Sequence, residues 1–271
     1  LGIGGVKIVN VHPKNPEKYG LPTVMAVILL LDPETGKPVA VMDGTWITNM
    51  RTGAAGGIAA KYLARRDSKI VGIVGAGVQP RTQLLALNEV LKIEEVRVCA
   101  RTLAETEIFR EKMEHLGLNV VPEENIEDVV KGCDILVTAT PVTTPIVKSE
   151  WVSEGTHINA IGADAPGKQE LDPKILKRAK IVVDDMEQGC HGGEVNVPLA
   201  EGIISKEDIY GELGEIVAGK KVGRASDEET TVFVSTGLAI QDAVTADLVY
   251  RKAIKKGLGI QFSLKEFIFN P

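Results

Sequence analysis

Between Lys69 and Leu87 the chain reads KIVGIVGAGVQPRTQLLAL, and this stretch constrains the fold more than any other. A β-branched apolar run of strand length ends in Gly-Ala-Gly and passes straight into a helical pattern. Such an unbroken run is what a strand buried on both faces requires. Gly75 allows a tight turn, and Gly77 lets a pyrophosphate approach the backbone. The helix start beyond offers free N–H groups and a partial positive charge. The third glycine of the usual fingerprint is replaced by Pro80, which suits the first turn of a helix because its missing N–H costs nothing there. The glycine pattern alone is a weak signal. Its setting, strand before, helix after and another strand at the right distance, makes a dinucleotide turn the better reading than a turn with packing glycines.

Similar runs recur along the middle of the chain: EVRVCA (Glu95–Ala100), DILVTAT (Asp134–Thr140), HINAIG (His157–Gly162), KIVVDD (Lys180–Asp185) and TTVFVST (Thr230–Thr236). Helical patterns fit between them, including Thr82–Lys92 and Leu103–Gly117, the latter stopped by its glycine. This alternation predicts a parallel sheet with crossover helices. The first part reads differently. Val6–Val11, Val24–Leu31 and Pro38–Asp43 suggest strands joined by the turns HPKNPEKYG and DPETGK with no helix between them, hence an antiparallel sheet. A helix from about Thr48 to Arg65 follows, and a last helix over Leu238–Gly257 returns to this unit. The expected architecture is therefore α/β: a doubly wound parallel sheet at residues 67–237, inserted into a smaller α+β domain formed by residues 1–66 and 238–271.

Composition narrows the partners. The net charge of −6, without a basic block, argues against nucleic acid. The run VMAVILLL (Val24–Leu31) is strand-length, far short of a membrane span. Cys99, Cys133 and Cys190 are few and unpaired by count, which points to a reducing cytoplasm. The chain opens at Leu1 with a strand under way by Val6, so its natural beginning is expected to lie upstream.

The end of the second strand of the middle domain bears on the cofactor. An NAD site places a carboxylate there for the ribose hydroxyls. This chain has Ala100, Arg101 and Thr102 instead. Arg101 could clamp a 2′-phosphate bidentately, so NADP(H) is favoured over NAD(H). Ligands of an open parallel sheet lie beyond the carboxyl ends of its strands. That rule selects Thr138, Ala139 and Thr140, and the segment from Gly162 to Asp164. A carboxylate at Asp164 can exchange a proton with an amino or imino nitrogen; the alternative is an aspartate serving the turn at Pro166 and Gly167. Lys7, in the first strand, and Arg51, near the start of the connecting helix, are the cations an α-amino or α-imino acid would need, although either could be a surface charge. The small residues from Gly53 to Ala60 would let that helix pack closely on the cofactor domain. Cys190, His191 and Glu194 fit no zinc spacing and read as a glycine-rich loop with polar anchors, so no metal is expected. Asp184 and Asp185 read as a strand end. His12 and His157 have no nucleophile arrangement around them, which leaves hydrolase chemistry unsupported.

The stretches VKIVNVHPKNP, MRTGAAGGIAAKYLA, VGAGVQ, GTHINAIGADAPGKQELD and STGLAIQD together resemble the ornithine cyclodeaminase/mu-crystallin family, and within it the archaeal alanine dehydrogenase type. The resemblance spans essentially the whole chain. It implies a Rossmann domain, a dimerisation and substrate domain, and a homodimer. By motif, Lys7 matches a substrate-site lysine with a catalytic role, Arg51 a carboxylate-binding arginine and Asp164 the catalytic aspartate. Gly75, Gly77, Val78 and Gln79 match the pyrophosphate turn, Thr138–Thr140 a cofactor-lining loop, and Ser235, Thr236 and Gly237 a segment near the nicotinamide. Thr52, Arg101, Thr102 and Gly162 complete the expected cofactor set. The family carries further residues ahead of Leu1, among them a second arginine for the substrate carboxylate. The implied reaction is NAD(P)-dependent oxidative deamination, L-alanine to pyruvate and ammonia, by hydride transfer from Cα. Ornithine cyclisation to proline and reduction of a ketimine or pyrroline-carboxylate share that half-reaction, and a crystallin-like NADP(H)-binding role without turnover is the non-enzymatic alternative.

Overall fold

The computed structural model describes residues 2–262. Their elements, in chain order, are β1 (Gly4–Val11), α1 (Asn15–Tyr19), β2 (Val24–Leu31), β3 (Pro38–Asp43), α2 (Gly44–Leu63), β4 (Ile70–Val74), α3 (Val78–Val90), β5 (Glu95–Cys99) and α4 (Leu103–Met113). There follow β6 (Asn119–Pro122), α5 (Ile126–Val130), β7 (Ile135–Thr138), β8 (His157–Ala160), α6 (Pro173–Arg178), β9 (Lys180–Val183), α7 (Met186–Gly192) and α8 (Asn196–Ala200). The last are β10 (Ile209–Glu212), α9 (Leu213–Val217), β11 (Thr231–Val234) and α10 (Ala239–Lys255). Two compact units result. The described residues up to Thr48 and from Ala239 onward form the first, and Asn49–Leu238 the second. The division falls inside α2. Leu1 and the expected end of the first domain beyond residue 262 lie outside the described residues.

The first unit is the antiparallel sheet β1-β2-β3 with α10 against it. Its strands pair directly, Lys7 opposite Ile28 and Ile28 opposite Met42. Alternation buries Ile28 and Leu30 with Ile47 and Ala246 on one face. On the other face Val6, Ile8, Val27 and Val41 are exposed. The turn at Asp32–Lys37 forms as expected: Asp32 Oδ1 accepts the backbone N–H groups of Glu34 and Thr35, and Gly36 adopts a positive φ. One expectation fails here. HPKNPEKYG is not a simple turn but contains α1, begun by Pro16 and closed by Gly20 in the left-handed region. Five residues are too few to show a helical period.

The second unit is an eight-stranded sheet in the order β10-β9-β11-β8-β7-β4-β5-β6, every pair parallel. From β4 the chain runs outward through β5 to β6, then crosses back to β7 on the other side. The switch point therefore lies between β4 and β7. Two short edge strands, β6 and β10, carry no run long enough to announce them. The remaining strands begin and end within a residue or two of the expected runs, because buried β-branched runs have few alternatives. Helix α2 starts earlier than expected, at Gly44, with Asp43 Oδ1 accepting the Thr45 N–H.

Small residues on α2 allow a close crossing with α3, as anticipated. A Cβ at Gly53 would lie 2.9 Å from Thr82 Cβ, and one at Gly57 2.9 Å from Ala86 Cβ. Further along α2, Ala55, Ala59 and Leu63 pack on Val182 and Phe233. Beneath them a buried polar network replaces hydrocarbon: His157 bonds Thr231 and Asn159, and Asn159 donates to Gln83 Oε1. Gln83 in turn donates to the Thr52 carbonyl. His157 is thus a core residue whose imidazole burial pushes down to a pKa of about 3, helped by the Arg224 charge.

Candidate functional site

The carboxyl ends of β4, β5, β7, β8 and β11 collect the expected cofactor residues along one edge of the second unit. After β4, Gly75 takes a φ of 108°, and a Cβ there would stand 2.8 Å from the Ala139 carbonyl oxygen. Only glycine satisfies both demands. Gly77 then caps α3 with no side-chain hydrogen bond to its first turn. The α3 N–H groups are therefore not taken by a cap, in the setting where a pyrophosphate would be held. This arrangement fits a dinucleotide. Pro80 lies in that first turn, buried. Gln79 donates to Asn49 Oδ1 at 3.2 Å, which ties the turn to α2. Arg81, not singled out from the sequence, folds back to donate to the Gly77 carbonyl at 2.9 Å, and its burial lowers the guanidinium pKa.

Beyond β5, the Arg101 side chain is 81% exposed and pairs with Glu105 at 2.6 Å. Thr102 caps α4 by accepting the Glu105 N–H. At the ends of β7 and β8, Thr140 and Gly162 meet over one buried carboxylate. Glu170 Oε1 accepts the Thr140 N–H and hydroxyl, both at 2.7 Å, and Oε2 accepts the Gly162 N–H at 2.9 Å. Two residues on, Asp164 is 53% exposed and is bound by Lys168 Nζ at 2.5 Å.

The segment after β11 is held by a residue first read as a mere strand end. Asp184 Oδ2 accepts the Thr236 and Gly237 N–H groups at 2.7 and 2.6 Å, and Oδ1 accepts the Thr236 hydroxyl at 2.9 Å. The strand ends one residue earlier, at Val183, and Asp185 caps α7. Gly237, with φ 82°, abuts the Arg51 guanidinium: a Cβ there would lie 2.9 Å from Arg51 Cζ. Cys190 and His191 belong to α7 rather than to the expected loop, while Glu194 is indeed a buried anchor. The helix was hidden by its glycines, Gly189 and Gly192. Gly189 is required because a Cβ would press on Val183.

In the first unit, Lys7 is 16% exposed and its Nζ lies 2.6 Å from the buried carboxylate of Asp242 on α10. The pair shows Lys7 to be an organised cation rather than a surface charge. Asp242 and Asp184 were missed for the same reason: each is distant in sequence from what it holds, and no local pattern announces such a bond.

A parallel sheet with a glycine turn at its switch point, followed by an uncapped helix, defines a dinucleotide-binding α/β protein. The chain belongs to the ornithine cyclodeaminase/mu-crystallin family, whose model matches residues 2–257. It is 55% identical to an alanine dehydrogenase of Archaeoglobus fulgidus over 261 residues, 96% of this chain and 80% of that protein. Among solved structures it resembles an archaeal alanine dehydrogenase dimer with bound NAD, with a TM-score of 0.93 and 53% identity over 97% of this chain and 82% of that one. The Δ1-pyrroline-2-carboxylate reductase of Thermococcus litoralis, in complex with NADH and L-proline, superposes with a TM-score of 0.92 and 46% identity, covering 95% of this chain and 80% of that one.

Proposed function

We propose that this protein is a nicotinamide-dependent amino-acid oxidoreductase of the alanine dehydrogenase type, interconverting L-alanine with pyruvate and ammonia. The observation that carries the reading is the joint presence of the uncapped glycine turn, the Arg51 guanidinium seated on Gly237, and Asp164 beyond β8. The similarity to the Archaeoglobus enzyme supports the substrate. A bound nicotinamide would supply the hydride acceptor for oxidation at the substrate Cα. Arg51 grips the substrate carboxylate with paired hydrogen bonds. Asp164 moves a proton at the substrate nitrogen or at the attacking water, and exchanges its Lys168 contact to do so. The role of Lys7 is a second proton transfer, with Asp242 holding its ammonium.

Gly75, Gly77, Val78 and Gln79 at the α3 start would hold the pyrophosphate, with Arg81 adding charge. Thr52, Thr138, Ala139, Thr140, Gly162, Ser235, Thr236 and Gly237 would line the rest of the cofactor. Arg101, with no carboxylate at the end of β5, favours NADP(H) by exchanging Glu105 for the 2′-phosphate, and Thr102 flanks it. Dinucleotide binding is assigned to residues 67–237, within the second unit, and substrate binding and dimerisation to the remainder, of which Asn49–Arg66 packs with that unit. The exposed apolar face of β1-β2-β3 (Val6, Ile8, Val27, Val41) is the surface for a second copy, and the dimeric state of the related archaeal enzyme supports this. The cytoplasm is the compartment; no described helix is long and apolar enough to cross a membrane. The test is a substrate and cofactor screen by absorbance of the reduced nicotinamide. Turnover of alanine is expected, and turnover confined to ornithine or a cyclic imine would replace the substrate.

A further inference from the structure

Two glutamates that pair with no cation among the described residues lie inside the second unit, one above the other. Glu170 and Glu194 are both fully buried. Glu194 Oε1 accepts the backbone N–H of Glu170 at 2.9 Å and that of Leu171 at 2.7 Å, and its Oε2 shares the Glu170 N–H at 3.1 Å. Glu170 in turn spends both oxygens on the ends of β7 and β8, on Thr140 and Gly162. Burial raises the pKa of both, and the Glu170 charge raises that of Glu194 further. Buried carboxyls of this kind are costly, and every bond they make goes to backbone or hydroxyl groups of loops.

What those loops touch gives the arrangement its consequence. A Cβ at Gly162 would lie 2.5 Å from Thr140 N and 2.6 Å from Glu170 Oε2, so the two strand ends meet without room for a side chain. Thr140 follows Ala139, whose carbonyl oxygen confronts Gly75 at the centre of the glycine turn. Asp164 stands two residues past Gly162. Glu170 thus joins the loop that abuts the turn after β4 to the segment that carries Asp164.

We propose that Glu170 and Glu194 form a two-tier clamp in which Glu170 is a positioning residue for both the dinucleotide turn and Asp164, and Glu194 fixes the backbone from which Glu170 reaches. The assignment rests on the dinucleotide reading given above. The two tiers differ in what an amide can replace. In Glu170→Gln the NH2 group must face either the Thr140 N–H or the Gly162 N–H, donor against donor. In Glu194→Gln, Oε1 still accepts both of its N–H groups, and only the longer, shared bond at 3.1 Å becomes donor against donor.

The experiment compares NADPH and NADH binding, by fluorescence of the reduced nicotinamide, and steady-state alanine turnover in the full chain and its E170Q, E170D, E194Q and T140V variants. E170Q is expected to weaken binding of the better dinucleotide about tenfold or more, the scale of one lost charge-assisted bond. Its kcat should also fall at saturating dinucleotide, because Asp164 is displaced. E194Q keeps its two acceptor bonds on Oε1 but sets an NH2 group beside the Glu170 N–H, so it should weaken both readouts in the same direction as E170Q and by about threefold at most. A merely structural role would make the two buried substitutions comparable, and that result would overturn the clamp. Unchanged binding and kcat in E170Q would also overturn it. If E170Q does not fold, E170D decides, since it leaves Thr140 itself intact but is a methylene too short to bond Thr140 and Gly162 together: binding weakened about threefold supports the clamp, with T140V for comparison, and unchanged binding in E170D removes it. A parent protein that binds neither NADPH nor NADH would refute the dinucleotide reading itself and the clamp with it, an outcome distinct from a binding parent with an indifferent E170Q.

Discussion

Gly237 and Arg51, 186 positions apart in the chain numbering, meet closely: a Cβ on the glycine would stand 2.9 Å from the guanidinium Cζ, and Asp184 holds that backbone through the Gly237 N–H at 2.6 Å. An arginine intended to grip a carboxylate in a fixed orientation needs such a backing. Replacing Gly237 by Ala adds a Cβ that displaces the guanidinium and strains a backbone at φ 82°. The expected result is a KM for the amino acid raised about tenfold or more, the worth of a bidentate pair thrown out of line. Dinucleotide affinity should change little by comparison. Steady-state kinetics beside a fluorescence titration separates the two, and an unchanged KM would remove Arg51 from substrate binding.

Asp164 is half exposed and engaged by Lys168. Replacing it with Asn keeps the shape of the side chain and removes its capacity to carry a proton. Turnover should fall by roughly a hundredfold or more, the scale of a lost general acid or base, while NADPH or NADH still binds. Turnover close to the parent value would show that the proton moves elsewhere.

Arg101 presents its guanidinium to solvent and pairs with Glu105 on the helix that follows. The Arg101→Asp variant is expected to lose NADP affinity by about ten- to a hundredfold, the range for a charge-assisted bidentate contact, and to gain on NAD. Glu105→Gln should strengthen NADP binding, because the competing carboxylate is gone. Titration of both cofactors against both variants checks this. An Arg101→Asp protein with its preference unaltered would assign the phosphate contact to another residue.

His157 makes stability depend on pH. Its imidazole is neutral in the fold, with a pKa lowered to about 3 against 6.5 for the free side chain. The unfolded chain binds the extra proton first, so stability from this group is complete above pH 6.5 and is lost progressively as the pH falls towards 3. In His157→Gln nothing titrates at this position. The thermal midpoint of the parent should exceed that of the variant most at neutral pH, and the gap should narrow on acidification. A gap that stays constant from pH 7 to pH 4 would mean that the imidazole is not kept neutral by its burial.

Packing of α2 on α3 offers a separate check on the fold. A Cβ at Gly53 would meet the Thr82 backbone, its carbonyl carbon at 2.6 Å. Gly53→Ala is expected to cost about 2–3 kcal/mol, in the range for overpacking a close contact. Denaturant unfolding measures it, and a neutral or stabilising effect would be inconsistent with the close crossing.

Much of this was open to reading before any coordinates, and the exceptions share a cause. The strands from Ile70 to Val234 and the glycine turn at Gly75 announce themselves because burial on both faces and a positive φ each leave few residue choices. The edge strands β6 and β10 could not, since NVVP and IYGE are only partly buried and are interrupted by Pro122 and Gly211, and neither could the five-residue helix α1, too short to hold a period. Within the site, Gly77, Arg51 and Asp164 follow from motif and strand-end position. Asp184, Glu170, Glu194 and Asp242 do their holding across long separations. Asp184 reaches a turn more than fifty positions on, and Asp242 meets Lys7 from the other end of the chain. Only the folded chain brings these carboxylates to what they hold.

The measurement that bears most directly on the proposed function is absorbance at the reduced-nicotinamide band, with NADP or NAD mixed with L-alanine, and with pyruvate, ammonia and NADPH or NADH in the reverse direction. Oxidation of alanine coupled to reduced-cofactor formation, reversed by pyruvate and ammonia together and not by either alone, is the predicted result. A protein that binds the reduced cofactor tightly yet turns over neither alanine, ornithine nor a cyclic imine would contradict it and mark the chain as a binding protein.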